Sequence, residues 1–272
     1  MKIIIIGGDE RMVQLYKMLT KDGHSVFPVA MERALPLQGP PDWAGAELAI
    51  LPLPAERGGR LNTPLSEGEY CASDFLALLP EGCRVFAGMA GEKLRESCLR
   101  RGLIPEDYFL REELQVKNAA LTAEGALGLL LGADGRSLAG RRVLICGFGR
   151  IGRLVGLRLK AVGAELCVAA RSAADRAWAE AMGFAAVKLG EVSGEYDFVL
   201  NTVPAPVLGR RELERVGRAI LVELASAPYG IDRSAAEELG LRLIMASGLP
   251  ALTAPESAAE AIKDSIYNIL EE

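Results

Sequence analysis

Residues 3–6 are four consecutive isoleucines, followed at once by Gly7-Gly8-Asp9-Glu10. A short apolar run that stops at a glycine turn predicts a buried strand. Beyond the turn the period changes. Met12, Leu15, Tyr16 and Leu19 recur at helical spacing, the stripe of an amphipathic helix. Gly23 closes that helix, and residues 25–30 read as a second strand. The alternation continues, with strands expected at 48–53 and 84–86 and helices at 73–79 and 92–101. Strands alternating with helices imply a parallel sheet covered on both faces.

Residues 112–131 are rich in Ala and Leu and predict a long helical stretch, with a break expected near 118–122. A turn cluster, Gly132-Ala133-Asp134-Gly135, separates it from a second series. That series starts with an apolar strand at 142–146. A helix follows, with Ile151, Leu154, Val155, Leu159 and Val162 on one face. Further strands are expected at 165–170, 198–201, 219–223 and 242–245, with a helix at 173–182. Apolar residues at 258, 262, 266, 269 and 270 predict an amphipathic helix over 257–270.

The turn after the strand at 142–146 reads Gly147-Phe148-Gly149-Arg150-Ile151-Gly152. Glycines spaced G-x-G-x-x-G between a strand and a helix are the dinucleotide-binding fingerprint. Gly147 permits the tight turn, Gly149 lets backbone approach a pyrophosphate, and Gly152 lets the helix pack on the strand. The helix N-terminus then offers N–H groups to the phosphates. The next strand ends Ala169-Ala170-Arg171-Ser172, without the acid that holds the ribose 2′-hydroxyl of NAD. Arg171 and Ser172 suit a 2′-phosphate, so NADP is expected over NAD. Asn201, Thr202, Val203 and Pro204 end a later strand and are expected to border the cofactor.

The expected architecture is therefore α/β: two Rossmann-like domains with parallel sheets, joined by linker helices. Residues 1–117 form a substrate-binding domain that lacks the three-glycine spacing. Residues 118–136 form a linker helix, and 137–254 an NADP-binding domain. The C-terminal helix 255–272 is expected to return to the first domain.

Composition narrows the chemistry. The 272 residues are half hydrophobic and carry a net charge of −5, which gives no reason to expect nucleic acid as partner. No apolar run approaches a membrane span, and no signal-peptide pattern opens the chain, so a cytoplasmic protein is expected. The five cysteines form no C-x-x-C pair, and no metal site is visible. The single histidine, His24, lies in a turn away from the expected cleft. A histidine-based hydroxyacid dehydrogenase and a zinc alcohol dehydrogenase are thereby excluded. An oxidation driven by aromatisation of the product needs little acid–base help. Asn118, Thr122, Glu124 and Gly125 are the inter-domain candidates, with Glu124 and Thr122 as the catalytic pair. Asp9 and Arg11 in the first loop could receive an anionic substrate. Ser226, Gly248 and Pro250 follow later strands and are expected on the substrate side.

Several of these pieces together resemble the dipicolinate synthase A family of endospore-forming bacteria. They are residues 6–11, Asn118 with 122–125, the fingerprint, 170–172, 201–204, 224–226 with Pro228, Gly230 and Asp232, and 248–250 with Ala254-Pro255. The family pattern has Thr and Gly where this chain has Ser257 and Ala259. The resemblance implies oxidation of a small cyclic dicarboxylate, hydroxy-tetrahydrodipicolinate, to dipicolinate during sporulation. It implies a mother-cell location and, as partner, the flavoprotein-like second subunit of a dipicolinate synthase, and leaves a homo-oligomer open. It places Arg11, Asn118, Thr122 and Ser226 as carboxylate ligands. Two other readings stand beside it: an NADP-dependent dehydrogenase of another small carboxylic acid, and a non-catalytic NADP-binding regulatory subunit.

Overall fold

A computed structural model describes residues 1–36 and 39–272. The chain forms two compact units. One comprises Met1–Asn118 with Ala254–Glu272, the other Ala119–Thr253.

The first unit begins with β1 (Lys2–Ile6), α1 (Glu10–Lys21), β2 (Ser25–Val29) and β3 (Leu48–Ile50). A two-stranded hairpin, β4 (Glu56–Arg57) and β5 (Arg60–Leu61), precedes α2 (Ala72–Leu76). Then come β6 (Arg84–Ala87), α3 (Glu92–Leu99), β7 (Ile104–Asp107) and the start of α4 (Glu112–Ala133). Five strands form one parallel sheet in the order β2-β1-β3-β6-β7. Leaving the hairpin aside, that is the 2-1-3-4-5 order of flavodoxin-like sheets. The isoleucine run is buried on both faces, as a central parallel strand requires. Ile4 and Ile6 face Leu51, Val85 and Leu94. Ile3 and Ile5 face Met12 and Leu15 of α1 and Ile262 and Ile266 of the C-terminal helix, Pro255–Glu271.

The second unit takes the remainder of α4, then β8 (Arg142–Cys146), α5 (Arg150–Ala161), β9 (Glu165–Ala170), α6 (Ala173–Ala181) and β10 (Ala185–Lys188). It continues through β11 (Phe198–Asn201), α7 (Arg210–Leu213), β12 (Ile220–Glu223), α8 (Arg233–Glu238), β13 (Leu243–Met245) and α9 (Leu249–Thr253). Its parallel sheet runs β10-β9-β8-β11-β12-β13, the 3-2-1-4-5-6 order of a dinucleotide-binding fold.

One expectation is corrected. α4 runs unbroken through 118–122. No proline interrupts it, and Asn and Thr weaken a helix by only a few tenths of a kcal/mol against Ala. Ala119, Thr122, Ala123, Ala126 and Leu130 are buried at helical spacing, so packing holds the turn that propensity leaves weak.

Among the described residues no helix is long and apolar enough to cross a membrane. Among them, too, no cluster of His, Cys, Asp or Glu could hold a metal ion.

Candidate functional site

β8 delivers the chain to Gly147 at φ +92°, a conformation that L side chains rarely adopt. A Cβ there would meet Thr202 Oγ1 and Val203 Cγ2, each at 2.6 Å. A Cβ on Gly152 would collide with the Gly147 carbonyl oxygen. Both glycines thus keep α5 tight against β8 and β11. Gly149 caps α5, whose first N–H groups have no side-chain cap. Those groups and the positive end of the helix dipole favour an anion.

A cavity of about 280 Å³ lies over this turn. Gly147, Phe148 and Gly149 line it from one side, Arg171 and Ser172 from the end of β9, and Thr202, Val203 and Pro204 from the end of β11. Ser172 caps α6, its Oγ accepting from the Asp175 N–H at 3.3 Å, so its O–H remains able to donate. Arg171 is exposed, and its guanidinium has no ion-pair partner among the described residues. Asp175 also borders the cavity, and Arg153 lies 3.4 Å from it. Arg153 also donates to the Phe148 carbonyl at 2.9 Å, which braces the fingerprint turn. Arg150, Ile151 and Gly152 open α5 and set its approach without lining the cavity.

Asn201 departs from expectation. It is fully buried beneath the cavity wall and its side chain is spent within the protein. Nδ2 donates to the Val203 carbonyl at 2.9 Å and to Glu223 at 2.6 Å, while Oδ1 accepts from the Val203 N–H at 3.2 Å. It shapes the loop that lines the cavity.

In the first unit the expected anion receptor is also corrected. Asp9 caps α1, accepting from the Arg11 N–H at 3.2 Å. Its two oxygens also take Arg11 Nε at 2.9 Å and Nη2 at 2.8 Å. Arg11 is buried and donates as well to the Leu53 carbonyl. The pair neutralises itself and ties α1 to the segment after β3, so the Arg11 guanidinium is engaged in holding the loop. Arginine charge without a buried partner lies elsewhere in this unit. Arg33, Arg57 and Arg60 line a second cavity of about 430 Å³, with Thr63 and Ser66 beside them. Arg60 there pairs at 3.2 Å with exposed Glu69.

The α4 candidates separate. Asn118 and Thr122 lie one turn apart on one face; Asn118 ends the first unit and Thr122 is buried in the second. Glu124 sits about 200° around the helix from Thr122. Its exposed carboxylate accepts from Arg158 of α5 at 3.0 Å. The two do not form a catalytic pair. Gly125 is a packing glycine, since a Cβ would lie 2.9 Å from Thr253 Oγ1 and 3.0 Å from Leu249 Cβ. Ser226 and Gly248 are exposed in the loops after β12 and β13. Pro250 is buried in the first turn of α9.

Two carboxylates escaped the sequence reading. Glu223, at the end of β12, is fully buried and receives four N–H donors. Asp107, at the end of β7, receives the N–H groups of Met89, Ala90 and Phe109 and holds Met89 at φ +57°. The available signal was an acid closing an apolar strand, as in Ile220–Glu223, where a solvated residue is the ordinary expectation.

Comparison with known proteins agrees with this geometry. Residues 2–109 match the N-terminal domain of the dipicolinate synthase A chain. Residues 120–220 match the NAD-binding domain of D-isomer-specific 2-hydroxyacid dehydrogenases. The dipicolinate synthase A chain of Bacillus subtilis (strain 168) is 27% identical over 292 positions, covering 100% of this chain and 96% of that protein. The crystal structure of the dipicolinate synthase A chain from Bacillus subtilis superposes with a TM-score of 0.84 at 26% identity, covering 100% of this chain and 96% of that one. Its counterpart from Bacillus halodurans gives 0.88 at 24% identity, covering 100% and 98%. A transhydrogenase from Sinorhizobium meliloti shares the fold at 0.70 and 16% identity, covering 99% and 93%. Residues 120–220 of the second unit are thus similar to the NAD-binding domain of an oxidoreductase family, which supports a nicotinamide cofactor. Over its whole length, in sequence and in fold, the chain is similar to the dipicolinate synthase A chain, and so reads as a dehydrogenase-like subunit.

Proposed function

We propose that the chain is the NADP-dependent dehydrogenase subunit of a dipicolinate synthase, acting on the ring derived from hydroxy-tetrahydrodipicolinate. The observation that carries the cofactor choice is the end of β9. Arg171 and Ser172 line the cavity where an NAD enzyme places an acid, and Ala170 is the last strand residue. The glycine turn fits a dinucleotide, because Gly149, where backbone must approach the pyrophosphate, lines the cavity and has open space where a Cβ would stand.

Backbone N–H groups at the start of α5 would hold the pyrophosphate, and Arg171 and Ser172 the 2′-phosphate. When bound, the nicotinamide supplies a hydride acceptor. Loss of water and two hydrogens from the ring yields an aromatic pyridine, so the driving force lies in the product. The protein's share is orientation and exclusion of water. This accounts for a site without histidine: the only one, His24, bonds Tyr267 at 2.9 Å on the C-terminal helix. A flavoprotein-like second subunit, a mother-cell location and the sporulation role follow from the same resemblance.

The test incubates purified protein with enzymatically generated hydroxy-tetrahydrodipicolinate and NADP⁺ or NAD⁺, first alone and then with the flavoprotein-like partner. NADPH appearing together with dipicolinate supports the reading. Tight NADP⁺ binding without turnover, even with the partner present, supports a regulatory subunit in its place.

A further inference from the structure

Strand pairing between β11 and β12 ends at the register pair Asn201↔Glu223. Past that point a single parallel bridge, Leu208↔Ile231, pairs the backbone, with the Val207 and Leu208 N–H groups on the Gly230 carbonyl and the Asp232 N–H on the Leu208 carbonyl. The N–H groups of Ala225, Gly230 and Ile231 bond the Glu223 side chain. Glu223 collects those three N–H groups together with the Asn201 amide. Its Oε1 accepts from Asn201 Nδ2 at 2.6 Å and from the Ala225 N–H at 3.1 Å. Its Oε2 accepts from the Gly230 and Ile231 N–H groups, both at 2.9 Å. No cation pairs with this buried carboxylate among the described residues. A buried carboxylate is costly unless its acceptors are filled, and here four donors fill them.

The same carboxylate serves two loops. Through Asn201 it reaches Val203, which lines the dinucleotide cavity and lies against Gly147. Through Ala225, Gly230 and Ile231 it closes the loop that presents Ser226. The fit is close: a Cβ on Gly230 would collide with Asn201 Nδ2 and lie 2.8 Å from the Val203 carbonyl oxygen. In sheets of this order ligands lie outside the carboxyl ends of the strands. The β9 and β11 ends line the cavity beside Arg171, the adenosine side, and the β12 loop lies farther along the same edge.

We propose that Glu223 is the positioning residue for the nicotinamide half of the dinucleotide. It does not touch the ligand; beside the Leu208↔Ile231 bridge, it fixes the 225–231 loop against the β11 loop by holding the Ala225, Gly230 and Ile231 N–H groups that strand pairing leaves unmatched. This rests on the reading of the second unit as an NADP site.

The experiment compares wild-type protein with Glu223→Gln, using two probes. Calorimetry with 2′,5′-ADP reports the adenosine half alone. The emission of bound NADPH reports the surroundings of its nicotinamide. Glutamine keeps the volume of glutamate and replaces one acceptor oxygen by an NH₂ that faces two N–H donors. In E223Q, 2′,5′-ADP affinity is expected to stay within about twofold of wild type, while the NADPH emission change is lost. Where turnover is measurable, kcat falls roughly 100-fold, the cost of a misplacement near 1 Å.

Unchanged NADPH emission in E223Q overturns the proposal and leaves the cofactor reading intact. Equal loss of both probes makes Glu223 a general structural residue and also overturns it. If E223Q fails to fold, Glu223→Asp carries the same two probes, since it keeps the carboxylate and withdraws it by one methylene. A wild-type protein that binds neither probe defeats the cofactor reading itself, and the proposal with it.

Discussion

At the scale of single residues, the side chain's partners decide its role. Arg171 has no ion-pair partner among the described residues and lines the cavity, so its charge is available to a ligand. Arg171→Ala is expected to weaken NADP⁺ by about 10- to 100-fold, the worth of charge-assisted hydrogen bonds, and to leave NAD⁺ nearly unchanged. Titration with both nucleotides decides this; equal weakening of the two would remove Arg171 from the 2′-phosphate site. Arg11 is the opposite case. Arg11→Ala strands Asp9 and the Leu53 carbonyl, so it should cost about 2–3 kcal/mol of stability. Substrate KM should hold at temperatures where the variant is folded. A Tm equal to wild type with a raised KM would restore Arg11 as a ligand. The residue types at Arg11, Arg171 and Asn201 were legible from the sequence, and their partners were not. Nothing in Asp9-Glu10-Arg11 announces that the arginine folds back on the cap two residues before it, and nothing in Asn201 announces Glu223.

At the scale of elements, legibility followed burial. The strands at 2–6 and 142–146 are central in their sheets and read as unbroken apolar runs. β7 (Ile-Pro-Glu-Asp) and β10 (Ala-Ala-Val-Lys) lie at sheet edges, carry little apolar signal, and escaped notice. α4 was misjudged for the converse reason, since its continuity comes from buried contacts that local propensity does not show.

The C-terminal helix carries its own prediction. Its Lys263 and Tyr267 donate to Asp22, at the end of α1, both at 2.9 Å. The bond from Lys263, and then that from Tyr267, holds the Asp22 carboxyl below its ordinary range. A carboxylate with a depressed pKa stabilises the fold above its unfolded pKa, near 4, and that contribution is lost as pH falls through the folded value. Asp22→Asn should therefore lower Tm at neutral pH and flatten the fall of Tm below about pH 4. Parallel Tm curves for the two proteins across that range would show the contact to be idle.

At the scale of the whole molecule, the strands were readable one by one, but their order in the sheets was not. Sequence periodicity cannot distinguish 2-1-3-4-5 from 3-2-1-4-5-6, since both are chains of right-handed crossovers. The order matters because it sets where each sheet reverses and therefore where ligands gather. The way the chain is divided has a further consequence. Residues 119–253 contain every buried contributor to the core clusters on both faces of the second sheet. Residues 1–118 do not close their own core: Ile3, Ile5, Met12 and Leu15 pack against Ala259, Ile262 and Ile266, contributed from the far end of the chain. Burying an isoleucine is worth about 1.5–3 kcal/mol, so the two helix isoleucines contribute roughly 3–6 kcal/mol. A domain's whole stability is about 5–15 kcal/mol, which makes that helix a large share of it. The fragment 119–253 should thus unfold cooperatively and bind 2′,5′-ADP, whereas 1–118 should lack a sharp thermal transition until peptide 254–272 is added. Circular dichroism melts of the two fragments, with and without the peptide, make the comparison. A sharp melt from 1–118 alone would mean that the first sheet is closed by its own helices and that the C-terminal helix only decorates it.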